Sequence, residues 1–283
     1  MSRNLSVHLG RCSPSYSPDL VTSSPPSNLD RFRSLLLEIP VPLDLAALLL
    51  SGHCQGRTLD TDEELAKLDR LAERVDVKTL SGVVECLFGE LGFAGDEVQY
   101  FSPENSYLDK VIERKRGIPI TLALLIMEVA RRCSVPVFGV GMPGHFLVGD
   151  SQDPDVFIDP FRGKLITQLE AQQMFRRMHP SAEFNTDYLA MVTNQAILTR
   201  VLNNLRLIRM KARSPKDLIP ILELSLCFEQ PSIAEARQLA SALEALGRTD
   251  EAARRMEEIA DRASQGEATE LRTLATRLWS QLN

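Results

Sequence analysis

The chain has 283 residues, 44% of them hydrophobic, enough for two packed units. Its 32 Lys and Arg against 38 Asp and Glu give a formal net charge of −6, which excludes wholesale wrapping of nucleic acid, since that needs an excess of cations on one face. Five scattered cysteines without a CxxC pair argue against a disulfide framework or a cysteine-rich zinc site, and no apolar run reaches the roughly 18 residues that span a bilayer.

Residues 1–28 are dense in Ser and Pro and predict a disordered tail. No apolar stretch follows Arg3 that could serve as a signal peptide, so a soluble cytoplasmic protein with reduced thiols is expected. From Leu29 the pattern turns helical, first around Phe32, Leu35 and Leu36, then over 43–50. Thr61 followed by Asp62, Glu63 and Glu64 predicts a cap and acidic first turn for a helix carrying Leu65, Leu68, Leu71 and Val75. Another helix is expected over 79–91, ending near Gly92, and a further one from Ser102-Pro103 to Lys115-Arg116-Gly117. The stretch 119–133 is apolar on nearly every side until Glu128 and Arg131-Arg132, which predicts a buried central helix.

Beyond it the period switches. Segments 135–140, 145–149 and 156–159, rich in Val, Ile and Phe, read as strands of an antiparallel sheet, and from about Asp187 the chain is helical again. Residues 245–252 read as the turn between two antiparallel helices of a repeat.

His145 opens one of these strands and Asp159 closes the next. A hairpin turn centred near Gln152 would set the two opposite each other, within hydrogen-bonding reach. A carboxylate that holds an imidazole in one tautomer is the orienting half of a cysteine or serine hydrolase triad; equally, a His–Asp pair ties two strands together. The small residues of 139–144 permit close backbone approach to a ligand or tight packing, and packing is expected. Glu113-Arg114-Lys115-Arg116 reads as a solvated helix end. His8, His53, His145 and His179 lack ligand spacing, so neither a metal nor another cofactor is expected.

Four blocks occur in order: Asn105-Ser106-Tyr107-Leu108, Arg116-Gly117-Ile118-Pro119-Ile120-Thr121-Leu122, Val140-Gly141-Met142-Pro143-Gly144-His145-Phe146-Leu147-Val148 and Phe157-Ile158-Asp159-Pro160-Phe161. Together they resemble the bacterial SirB family, in which a transglutaminase-like domain precedes tetratricopeptide-like repeats. The resemblance implies an α+β, papain-like core with a buried central helix on a small antiparallel sheet over 29–182, then all-α repeats over 183–283. Active members of the wider superfamily carry a Cys at the start of the central helix, where the helix dipole and a neighbouring His favour the thiolate. Aligning Gly117 and Ala123 with that pattern puts Pro119 at the nucleophile position, and proline is no nucleophile. Cys133 lies about 21 Å away along the same helix, Thr121 lacks an evident base, and Cys86 sits on an upstream helix as core material.

The resemblance therefore implies a remnant pair, His145 and Asp159, in a non-catalytic protein-binding or regulatory scaffold whose helical repeats hold a protein or peptide partner. The alternative is a cysteine-dependent amidase, protease or acyl transferase that uses the same pair with an unidentified thiol.

Overall fold

A computed structural model describes residues 27–229 and 232–282; most of the Ser/Pro-rich tail expected over 1–28 lies outside the described residues. The chain opens with α1 (Asn28–Leu35), whose N-cap Ser27 forms a capping box with Asp30. Helices α2 (Leu43–Cys54) and α3 (Thr61–Glu73) follow. The cap of α3 is Asp60, which accepts the Glu63 amide at 3.1 Å, and not Thr61, which enters the helix; the carboxylate one residue upstream reaches the free amide first.

The helix expected over 79–91 starts as α4 (Leu80–Val84), capped by Thr79, and widens into a π-helical turn over Glu85–Glu90. The single helix expected after Ser102-Pro103 is two pieces, a 3-10 turn (Pro103–Ser106) and α5 (Leu108–Arg114). Its terminator is Lys115, in the left-handed region at φ 56°, ahead of the glycine. Two short strands, β1 (Ala94–Gly95) and β2 (Arg116–Gly117), pair in parallel just before α6 (Pro119–Arg132).

Helix α6 is central as expected: Leu122, Ala123, Leu124, Leu125, Ile126, Val129 and Ala130 are fully buried. Against it lies a four-stranded antiparallel meander of β3 (Val137–Val140), β4 (Leu147–Asp150), β5 (Val156–Asp159) and β6 (Lys164–Thr167). Side-chain alternation divides its faces, with Val148 and Ile158 in the α6 core and Val140, Leu147 and Phe157 packed with Ala171 and Phe175 of α7 (Gln168–Met178).

Two sequence expectations about this sheet change. His145 does not open a strand: it precedes β4, at the end of a turn in which its amide donates to the Met142 carbonyl. The β4–β5 register sets Val148 opposite Ile158, not Val156, because the turn is built around Asp153, whose carbonyl accepts the Val156 amide.

Helical structure resumes with a 3-10 turn (Thr186–Leu189), α8 (Asn194–Lys211), α9 (Pro215–Ser225), α10 (Ile233–Glu244), α11 (Thr249–Ala260) and α12 (Gln265–Ser280). Helices α9 to α12 share a second apolar core. The α10–α11 turn ends in a Schellman motif, with Gly247 at φ 72° and Arg248 N–H reaching the Leu243 carbonyl. The architecture is therefore α+β, a central helix on a small antiparallel sheet, with a helical C-terminal segment.

Candidate functional site

His145 owes its position to the turn Met142-Pro143-Gly144-His145. Pro143 presets its own φ, and Gly144 takes φ +81°, as a type II turn requires. The turn is held from two sides. His179 Nε2 lies 3.2 Å from the Pro143 carbonyl, and Arg200 of α8 donates from one Nη2 to the carbonyls of Met142 (3.1 Å) and His145 (2.9 Å) while its cation sits over the Phe146 ring.

Facing it, Asp159 is nearly completely buried at the end of β5. Its Oδ1 lies 2.8 Å from His145 Nε2 and also accepts the Phe161 amide at 3.0 Å. An ionised carboxylate is acceptor-only, so Nε2 is the donor of this pair. Exposed Arg162 stands 3.9 Å from Asp159 Oδ2. The pair expected from the sequence is thus brought together.

Pro119 is buried in the first turn of α6, after the N-cap Ile118. A relay of backbone contacts joins this helix start to the His–Asp pair. Asp96 N–H donates to the Gly117 carbonyl, two residues before Pro119, and Gly95 N–H donates to the Phe161 carbonyl, both at 3.0 Å. Gly95 permits the second contact, since a Cβ there would stand 2.3 Å from the Phe161 ring.

Thr121 is also buried, and its hydroxyl donates to the Asn105 carbonyl at 2.5 Å. Asn105, fully buried, fastens the 96–106 loop by donating to the Gln99 carbonyl at 2.7 Å and accepting from Arg114 at 3.0 Å. Burial works against the Asp96 carboxylate in this loop, yet the Gln99 amide, the Asn105 side chain and Arg114 together hold it below the ordinary carboxylate range. Of the charge run expected to be a solvated helix end, Arg116 is exposed and donates to the Gly92 carbonyl, but Arg114 is mostly buried and ties to Asp96 and Asn105 of the loop. The loop presents exposed Tyr100 and Phe101, with the Tyr100 ring edge-on to Phe161 at 5.8 Å.

The thiols lie elsewhere. Burial pushes the Cys54, Cys86 and Cys227 thiols upward, away from the thiolate. Cys133 at the far end of α6 contacts Lys78 Nζ and the Ala72 carbonyl, each at 3.6 Å. Among the described residues no cysteine hydrogen-bonds to His145.

Sequence reasoning missed Arg200, for which no local signal exists, and Gly95. Asn105 was within reach, since it opens the first of the four ordered blocks.

Comparison with known proteins matches residues 57–203 to the transglutaminase-like superfamily, from the loop after α2 into α8. Among similar proteins, a UPF0162 protein of Xylella fastidiosa is 41% identical over 134 residues, 44% of this chain and 47% of the relative. A UPF0162 protein of Pseudomonas aeruginosa is 34% identical over 140 residues, 48% and 52% of the two chains. The F-box only protein 21 of Mus musculus is 29% identical over 138 residues, 45% of this chain and 21% of that protein. The chain thus spans about half the length of the UPF0162 relatives it matches. With the match running from Arg57 through the central helix, the His145–Asp159 pair and half of α8, this chain belongs to the transglutaminase-like superfamily.

Proposed function

We propose that the protein is a non-catalytic transglutaminase-like scaffold or regulator that works by binding another protein, and that Pro119 occupies the place of the nucleophile. The observation that carries this reading is the start of α6, where Pro119 is buried and the hydroxyl of Thr121 is already spent on the Asn105 carbonyl. His145 and Asp159 are then a remnant pair that ties the 142–145 turn to β5. The same reading includes a SirB-type organisation in the cytoplasm, with a core over 29–182 and tetratricopeptide-like repeats over 183–283 that hold a protein or peptide. Its support is the separate apolar core of α9 to α12, and α8 is the joint between the two parts because its apolar side lies in the first core.

A second reading, a cysteine-dependent amidase or acyl transferase, draws on one observation: the 2.8 Å contact from buried Asp159 to His145 is the orienting half of a triad. Site-resolved labelling with iodoacetamide at neutral pH separates the two. On the scaffold reading no wild-type cysteine slows in His145→Ala, whereas Pro119→Cys gains a fast-labelling thiol that the added His145→Ala slows at least about tenfold. A wild-type cysteine whose labelling collapses in His145→Ala would establish the enzyme instead.

A further inference from the structure

A groove of about 1210 Å³ lies on another part of the surface, between the end of α2, the start of α1 and the first turns of α9. Its size exceeds the roughly 300–1,000 Å³ of a small-molecule pocket, which leaves room for a segment of polypeptide.

Its charge runs against that of the whole protein. Four cations, Arg31, Arg57, Lys216 and Arg248, line it with two carboxylates, Asp217 and Glu223, on a chain of net charge −6. Both carboxylates are already engaged. Glu223 accepts from His53 at 3.0 Å and from Arg255 at 3.0 Å, and Asp217 pairs with Arg209 at 3.2 Å and accepts the Ser214 hydroxyl at 2.9 Å.

The cations are less committed. Arg31 meets only the neutral Thr61 hydroxyl, and Lys216 has no hydrogen-bond or ion-pair partner among the described residues. Arg57 and Arg248 answer Asp109 and Glu251 but keep nearly half of their side-chain surface exposed. The start of α9 adds to the same field. Its N-cap Ser214 turns its hydroxyl to Asp217 and makes no side-chain bond to the first-turn amides, so only the Asp217 carboxylate, itself paired with Arg209, stands against the positive end of the helix dipole.

We propose that this groove binds an acidic, extended peptide segment of a partner protein, its carboxylates pairing with Lys216 and Arg31. The proposal rests on the protein-binding reading above and names the surface and the chemistry of the partner.

The test is fluorescence anisotropy of the full chain with a fluorescein-labelled peptide of alternating Glu and Ser. Lys-for-Glu peptide, tripolyphosphate and an oligothymidylate serve as rivals. Saturable binding that weakens with salt is expected, reduced about tenfold by Lys216→Glu and further by adding Arg31→Gln. Arg162→Glu, at the other site, should leave it unchanged. Lys216 is exposed, so its reversal leaves the fold intact, which circular dichroism checks.

The proposal is overturned if the peptide fails to bind, if Lys216→Glu leaves its affinity unaltered, or if tripolyphosphate or the oligonucleotide binds more tightly. A dimer that dissociates in Lys216→Glu would overturn it too, assigning the groove to a second copy of the chain. The labelling experiment does not touch these residues, so a His145-dependent thiol would fell the scaffold reading while leaving the groove result standing, and the reverse holds equally.

Discussion

Gly144 carries two constraints at once: its φ is +81°, and a Cβ there would stand 2.7 Å from His179 Nε2. Gly56 carries only the first, with φ +65° and open space around the position of a Cβ. Gly56→Ala should therefore cost about 1 kcal/mol for the backbone alone, and Gly144→Ala about 1 kcal/mol more, from the added collision, in urea denaturation. Equal costs would mean that His179 yields freely and does not brace the turn. The identities of His145 and Asp159 were legible because each flanks a Val-, Ile- or Phe-rich segment. Arg200 was not, because it reads as an ordinary polar position on α8 and its role exists only where that helix crosses the turn.

Helix α6 shows what an apolar element does with a charge it cannot expose. Glu128 is almost fully buried and is held by Arg131 (2.8 Å) and Arg132 (2.9 Å), which also grip Asp44 at 2.9 and 2.8 Å. Burial, with the nearby Asp44 charge, raises the Glu128 pKa above its ordinary 4.5. Burial also opposes the Asp44 carboxylate, but Arg132 and the Leu45 amide prevail and lower it from 3.8. The two act in opposite senses. A raised folded pKa contributes stability that is present below 4.5 and lost as pH climbs through the folded value; a lowered one contributes stability that is present above 3.8 and lost as pH falls through the folded value. Glu128→Gln should abolish the decline above about pH 4.5 and leave the acid-side loss, read as urea midpoints from about pH 3 to about pH 8. A decline that survives the substitution would assign it to another group. Neither β6 nor α7 was read from the sequence: β6 is a short, mostly exposed edge, whereas α7 was missed although Thr167 and Glu170, three residues apart, carry a capping box.

At the scale of the molecule, the C-terminal helices are not an appendage. Ile197, Leu198, Val201, Leu202 and Leu205 of α8 lie in the same core as α6, and Ile221 and Leu224 of α9 join them. Burying each of the five α8 side chains contributes about 1.5–3 kcal/mol, together of order 10 kcal/mol, as much as the whole stability of a typical domain. A chain ending at 182 should therefore lose its cooperative urea transition by circular dichroism; a sharp transition in that fragment would make α8 dispensable. The sequence by itself determined the buried central helix, the switch to short strands and the helical C-terminal segment, because periodicity and punctuation are local properties of the chain. It also named His145 and Asp159. Only the tertiary structure decided the register that brings those two within 2.8 Å, the clamp of Arg200 on their turn, and the gathering of cations from α1, the loop after α2, α9 and the turn before α11 around one groove. Each of these joins residues far apart in the chain, and such contacts are set by how finished elements pack, which no local pattern encodes.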